Sequence, residues 1–149
     1  VRLYKIRYSQ ARVSPEASDG TPIEVMAEYM RNNGWDHEKG YPDMVEYPDG
    51  RIVTVDHRRL VAANQAGMEE VPANVHPASE GIDRAKAIKR FKLRVRFTDP
   101  ETGRIYKRGS IPSNWGEAAK FRSANQRRMG FPDFPIEGSP DLPEIKDRE

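Results

Sequence analysis

The residues best suited to chemistry stand together at Val55-Asp56-His57-Arg58-Arg59-Leu60, where a β-rich run passes into a Leu- and Ala-rich segment. A helix start presents unpaired backbone N–H groups and the positive end of the helix dipole, and two arginines in its first turn add bidentate donors suited to phosphate. For helix stability alone they are misplaced: a cation at a helix N-terminus costs about 0.3–1 kcal/mol, so an anion held there explains them better. Asp56 reads as the N-cap, or as an N-cap that also ligates a divalent cation on a phosphate oxygen. His57, with an ordinary pKa near neutrality, stands where a general base or metal ligand would be useful, although a lone histidine is more often structural or exposed.

Other polar groups are candidates for phosphate, sugar or base contacts. Ser9-Gln10 lies in the first β-rich run and either faces the same cleft or forms an edge-strand polar pair. Asn125 and Gln126 stand beside Arg122, Arg127 and Arg128 in a helical run, and amide with guanidinium suits nucleic-acid contacts as well as it suits a solvated helix end. Arg94 and Arg96 alternate with Leu93, Val95 and Phe97 and present two guanidiniums on the outer face of a strand. Trp115 reads as core, with base stacking as the alternative, while His37 and His76 have no ligand spacing and read as surface residues. The P-loop, GxGxxG, HExxH and GxSxG patterns do not occur.

These residues need elements to position them. Leu3 to Val13 reads as a strand ending at Ser14-Pro15. Thr21-Pro22-Ile23-Glu24 reads as a capping box with Thr21 as N-cap, and Ile23, Met26, Ala27 and Met30 form one apolar stripe up to a stop at Gly34. Met44–Tyr47 and Arg51–Val55 flank Pro48-Asp49-Gly50 as a hairpin, the Asp56 box opens a helix that stops at Gly67, and Val71–Val75 reads as an edge strand. Ser79 to Phe91 reads as a helix with Ile82, Ala85 and Ile88 inward, followed by a hairpin of 93–97 and 104–108 about Asp99–Gly103. Asn114-Trp115-Gly116-Glu117 reads as a second capping box opening a helix through Met129, and the prolines at 132, 135, 140 and 143 predict an extended or irregular tail. The expected architecture is a single α+β domain over 1–149: a small mixed sheet flanked by helices (1–77), a basic helix–hairpin–helix extension (78–130) and the tail (131–149).

Composition narrows the function classes. The chain has 149 residues, 36% hydrophobic and 32% charged, with no cysteine, which excludes disulfides, thiolate metal sites and cysteine nucleophiles. No run of about 18 apolar residues could span a membrane, and no signal peptide opens the sequence. It begins at Val1, so the expectation is a domain excised or processed from a longer chain. The net charge of +2 is a cancellation: 1–81 carries nine basic and thirteen acidic residues, 82–128 fourteen and four, and 129–149 two and six. A block of +10 between two of −4 suits a polyphosphate partner.

The run Ile52-Val53-Thr54-Val55-Asp56-His57-Arg58-Arg59-Leu60 through Ala66-Gly67 and Val71-Pro72 resembles the N-terminal domain of ParB-type proteins over roughly residues 4–75. That resemblance implies a ParB/sulfiredoxin-like fold whose arginine box binds nucleotide phosphates and sometimes Mg²⁺. Asp56-His57 replaces the Gly-Glu of the ParB box, the sulfiredoxin cysteine is lacking, and no helix-turn-helix follows. With Pro112–Ala118 and Gly138–Pro143, the D-x-R-R-L box is also similar to C-terminal toxin domains of bacterial polymorphic toxin systems, such as Rhs-type effectors. This second resemblance implies a secreted effector delivered into the cytoplasm of a target bacterium and neutralised by a cognate immunity protein.

The expected function is therefore an antibacterial nuclease that hydrolyses phosphodiester bonds, in DNA rather than RNA. Asp56 would hold Mg²⁺ or another divalent cation, His57 would activate or orient water, and Arg58 and Arg59 would stabilise the developing charge, with Ser9, Gln10, Arg94, Arg96, Arg122, Asn125 and Gln126 holding the polymer. The alternatives are an enzyme acting on a nucleoside triphosphate at the same box and a non-catalytic nucleic-acid-binding module.

Overall fold

Pro48-Asp49-Gly50 turns the chain as expected: Gly50 takes φ +87 and its N–H reaches the Tyr47 carbonyl at 2.9 Å, while the Tyr47 N–H reaches Arg51 O. The computed structural model describes residues 1–147. The turn joins β3 (Asp43–Glu46) to β4 (Ile52–Thr54) antiparallel, with Val45 opposite Val53. β1 (Ile6–Tyr8) adds parallel to β4 and β5 (Asn74–Pro77) parallel to β3, giving a mixed sheet of order β1-β4-β3-β5. The two-residue alternation of these strands divides the core. Ile6, Tyr8 and Met44 face helices α1 (Ile23–Asn33) and α2 (Arg58–Gln65), while Val45, Val53 and Val55 face α3 (Arg84–Phe91) and α4 (Trp115–Asn125). Each aliphatic or aromatic side chain so buried contributes about 1.5–3 kcal/mol. The result is an α+β fold with four α-helices among the described residues.

The α1 stripe is buried at Ile23, Ala27 and Met30, and the helix stops at Gly34, φ +76, whose N–H returns to Met30 O. Its start differs from the capping-box expectation. Pro22 is the N-cap and no side chain caps, because the Ile23 N–H is taken by the Pro15 carbonyl while the Thr21 N–H turns to Asp19. The second box is half formed: Asn114 Oδ1 accepts from the Glu117 N–H at 2.8 Å, but the Glu117 carboxylate turns to Ser113. α4 ends at Asn125 rather than Met129, since the N–H groups of 126–129 bond three residues back and tighten the chain into turns up to Gly130. Lying between two cores, α4 is buried on several faces, and its Lys120 meets the buried Asp99 at 2.7 Å.

Three further expectations are corrected. The segment 3–13 is a short 3₁₀ turn (Leu3–Lys5), β1, a break at 9–11, and β2 (Arg12–Val13), because the N–H groups of Ser9 and Ala11 leave the ladder for the side chains of His57 and Gln126. The edge strand is 74–77 rather than 71–75: Val71 instead packs in the core and bonds Val1. α3 starts at Arg84 with Asp83 as its cap, and its inward residues are Ala87 and Phe91, leaving Ala85 and Ile88 exposed. The basic hairpin is present in reduced form, β6 (Phe97–Thr98) with β7 (Ile105–Tyr106), over a small core of Leu93, Phe97, Tyr106 and Phe121.

The tail is irregular as expected over most of its length, yet it is bound. Tyr8 and Ser139 exchange both backbone hydrogen bonds at the β1 edge, Phe134 and Ile136 are buried, and β8 (Glu144–Ile145) pairs parallel with β2. The crossing needs Gly138, at φ +91, where a Cβ would stand 3.2 Å from Arg7 Cβ and from Val53 Cγ1. The last two residues of the predicted tail lie outside the described residues.

Candidate functional site: a cationic cleft at the start of the second helix

The strand-to-helix junction forms as the sequence predicts, and a cleft of about 1020 Å³ opens beside it. α2 follows β4 directly; the His57 carbonyl accepts the N–H groups of both Leu60 and Val61, leaving those of Arg58 and Arg59 as the donors no helical carbonyl can reach. Of the expected residues, Gln10, Asp56, His57, Arg58, Arg59, Arg94, Arg122, Asn125 and Gln126 line the cleft, Ser9 lies beneath His57, and Arg96 is outside it. Nine basic residues line it against three acidic ones.

Asp56 is not the N-cap. That position is His57, without a side-chain cap, and the Asp56 carboxylate turns away to accept the Asp43 N–H at 2.7 Å and Arg90 Nη2 at 2.9 Å. Both oxygens are thus engaged, and a guanidinium stands where a cation on Asp56 would sit. Arg90 also lies 3.7 Å from Asp43. Among the described residues no set of three His, Asp or Glu side chains is grouped to hold a metal. In this arrangement the Asp56 carboxylate is committed to the Asp43 N–H and to Arg90 instead of standing open to the cleft.

His57 is buried, at 4% exposure. Its Nε2 accepts the Ser9 N–H at 3.0 Å, so the neutral ring carries its proton on Nδ1. The Ser9 hydroxyl, 3.3 Å from the same nitrogen, donates to the Thr54 carbonyl at 2.7 Å. Burial, reinforced by the charges of Arg122 and Arg90, holds the His57 pKa well below its ordinary value, so the ring is neutral at physiological pH. Nδ1 is buried with no hydrogen-bond partner among the described residues. A buried donor without an acceptor costs about 1–3 kcal/mol, so the folded chain carries an unspent N–H beside an N-terminal helix turn.

The arginines divide by what holds them. Arg59 donates to the carbonyls of Lys39 and Gly40 and covers the Trp35 ring, fastening the 35–40 loop to α2. Arg58 bonds the Glu16 carbonyl and the Ser18 hydroxyl, drawing the 16–21 loop over the cleft. Arg122 donates to two carbonyls, Val55 O at 2.8 Å and Arg90 O at 3.1 Å. Burial and the neighbouring Arg90 lower its pKa to about 10, opposed by Asp56, which is itself committed to Arg90. Arg122 therefore remains charged at neutral pH without close pairing to a carboxylate among the described residues.

The amides are structural clamps. Asn125 accepts the Arg94 N–H and donates to Lys92 O, and Gln126 accepts the Ala11 N–H and donates to Arg122 O. Sequence reasoning did not single out Arg90, whose partners Asp43 and Asp56 lie far away along the chain, nor Arg12, Lys39 and Lys146 on the lining. It also placed His76 on the surface. His76 stacks on Trp115 with ring centroids 3.9 Å apart, with its two ring nitrogens against Asp43 and Glu80. Trp115 is core, as expected.

No family model, curated protein or solved structure matches the chain. No helix among the described residues is long and apolar enough to cross a membrane.

Proposed function

We propose that the cleft binds a phosphate of a nucleic acid or nucleotide at the start of α2, and that the chain is an effector domain acting on phosphodiester bonds. One observation carries the reading: the buried, unpartnered Nδ1–H of His57 beside the carbonyl-bound Arg122. Both are donors near a helix start, a setting that suits an anion. A phosphate oxygen would accept from His57 Nδ1 and from the free N–H groups of the first turn, and Arg122 and Arg58 would supply the countercharge. These groups would also stabilise charge that builds on the phosphorus oxygens during hydrolysis.

The role of His57 is accordingly that of a neutral donor. Its one lone pair is spent on the Ser9 N–H, so the ring does not take a proton from water in this arrangement. Asp56 would act through Arg90, which it holds at the cleft wall. The ParB/sulfiredoxin-like identity of the sheet and helices, delivery into a target bacterium and an acidic immunity protein covering the basic face are inferred from the resemblance of the D-x-R-R-L box.

Incubation of the purified chain with plasmid DNA and with total RNA, with and without Mg²⁺, tests the activity. Cleavage of either polymer that is lost in Arg58→Ala supports the proposal; intact polymers under every condition overturn the nuclease reading. If oligonucleotides still bind with a salt-dependent affinity, the non-catalytic binding module replaces it.

A further inference from the structure

The cleft has a second kind of lining that phosphate binding leaves unused. α1 buries Ile23, Ala27 and Met30, and on the adjoining face it carries Val25, Met26 and Tyr29, all of which line the cleft. Val25 is 50% exposed and Tyr29 46%, and Met129 beyond α4 is 55% exposed. Single exposed apolar residues are ordinary, but here several share one concavity with the cations. Trp35 adjoins them, fixed by its indole N–H on the Gly40 carbonyl and covered by Arg59. Gln10 also lines the cleft, and its carboxamide has no partner among the described residues.

We infer that this apolar lining receives the base of one nucleotide unit whose phosphate lies at the start of α2; the inference rests on the phosphate reading above. A bare phosphodiester backbone satisfies the cations and leaves Val25, Tyr29 and Met129 in water. An apolar ligand covers those three and leaves the arginines without a countercharge. A nucleoside phosphate carries both features, a flat π-face for Tyr29 and an anion for the helix start, and Gln10 offers one donor and one acceptor to a base edge. The volume, at the top of the about 300–1,000 Å³ that small-ligand sites span, has room for such a unit. Bases inside a duplex are stacked and paired, so the unit comes from a single strand or is a free nucleotide.

Fluorescence anisotropy on the purified chain compares a short labelled single-stranded DNA with the same-length strand made of abasic sugar–phosphate units, and with a duplex. The base-bearing strand is expected to bind about tenfold more tightly than either, the size of effect that loss of one stacked base gives. Tyr29→Ser removes that advantage and leaves the abasic affinity unchanged, and Val25→Ser reduces it; thermal unfolding of both variants checks that these exposed substitutions keep the fold. Competition by a nucleoside monophosphate separates the sources: displacement at equal concentration of units assigns a free nucleotide, and displacement by the strand alone assigns a single-stranded polymer. Equal affinity for base-bearing and abasic strands, or no change in Tyr29→Ser, overturns the base subsite and leaves the phosphate reading standing. Failure of all strands to bind at low salt overturns both.

Discussion

A single nitrogen atom, Nδ1 of His57, carries most of the functional argument, and its state has a consequence for stability. Because the folded chain holds this histidine well below its ordinary pKa, the unfolded chain takes up a proton that the folded chain refuses once pH falls below about 6.5. The associated stability is complete above that pH and is lost progressively as pH falls toward the folded value. His57→Gln, whose amide oxygen can still accept the Ser9 N–H, should flatten this part of the stability curve, as read by thermal unfolding between about pH 8 and pH 5. Arg122 makes a separate prediction. Arg122→Met should weaken binding of a single-stranded oligonucleotide about tenfold or more and reduce the slope of log affinity against log salt by about one, measured by a salt titration.

The elements position these groups through contacts of very different legibility. The β3–β4 hairpin and the helix that follows it are readable because each signal, the Pro48–Gly50 turn, the β-rich runs and the Gly67 stop, lies within or next to the element it bounds. The helix caps were less so. A Thr21 or Asp56 in the right place caps only if nothing else claims it, and Asp56 is claimed by Arg90 and the Asp43 backbone. The break in the first strand was invisible, since it depends on His57 and Gln126 taking the N–H groups of Ser9 and Ala11 across many residues of chain. The inward face of α3 is not legible in the sequence because a short helix holds only two buried positions, Ala87 and Phe91, too few for a period to declare itself. α4 depends on a buried ion pair. Asp99 is 1% exposed, and although burial pushes its carboxyl up, Lys120 and the Glu101 N–H together hold it below its ordinary value. Lys120→Met leaves that buried carboxylate without its countercharge and should cost about 3–5 kcal/mol in a denaturant titration at neutral pH, with the deficit relative to the parent chain shrinking on acidification as Asp99 takes up a proton.

At the scale of the whole molecule, the charge blocks seen in the sequence fold onto one another. The cleft draws Arg58 and Arg59 from the acidic N-terminal block, Arg90, Arg94, Arg122 and Arg128 from the basic one and Lys146 from the tail, so the cationic surface has no counterpart as a single sequence run. The tail's role as a bound strap could not be read from its prolines, because its hydrogen bonds go to Tyr8 and Val13, more than a hundred residues away. Gly138→Ala, which places a Cβ against Arg7 and Val53 at a positive φ, should lower the midpoint of thermal unfolding by several degrees, about 1–3 kcal/mol of strain. Whether the start of α2 is an anion site completed by a neutral histidine donor is decided by ¹⁵N-resolved NMR of the imidazoles during titration with a single-stranded oligonucleotide. Free His57 is expected to be neutral and protonated on Nδ1, and this proton to move downfield as the site saturates while Nε2 keeps its bond to Ser9. A ring protonated on Nε2, or an Nδ1 proton unmoved at saturation, would contradict it.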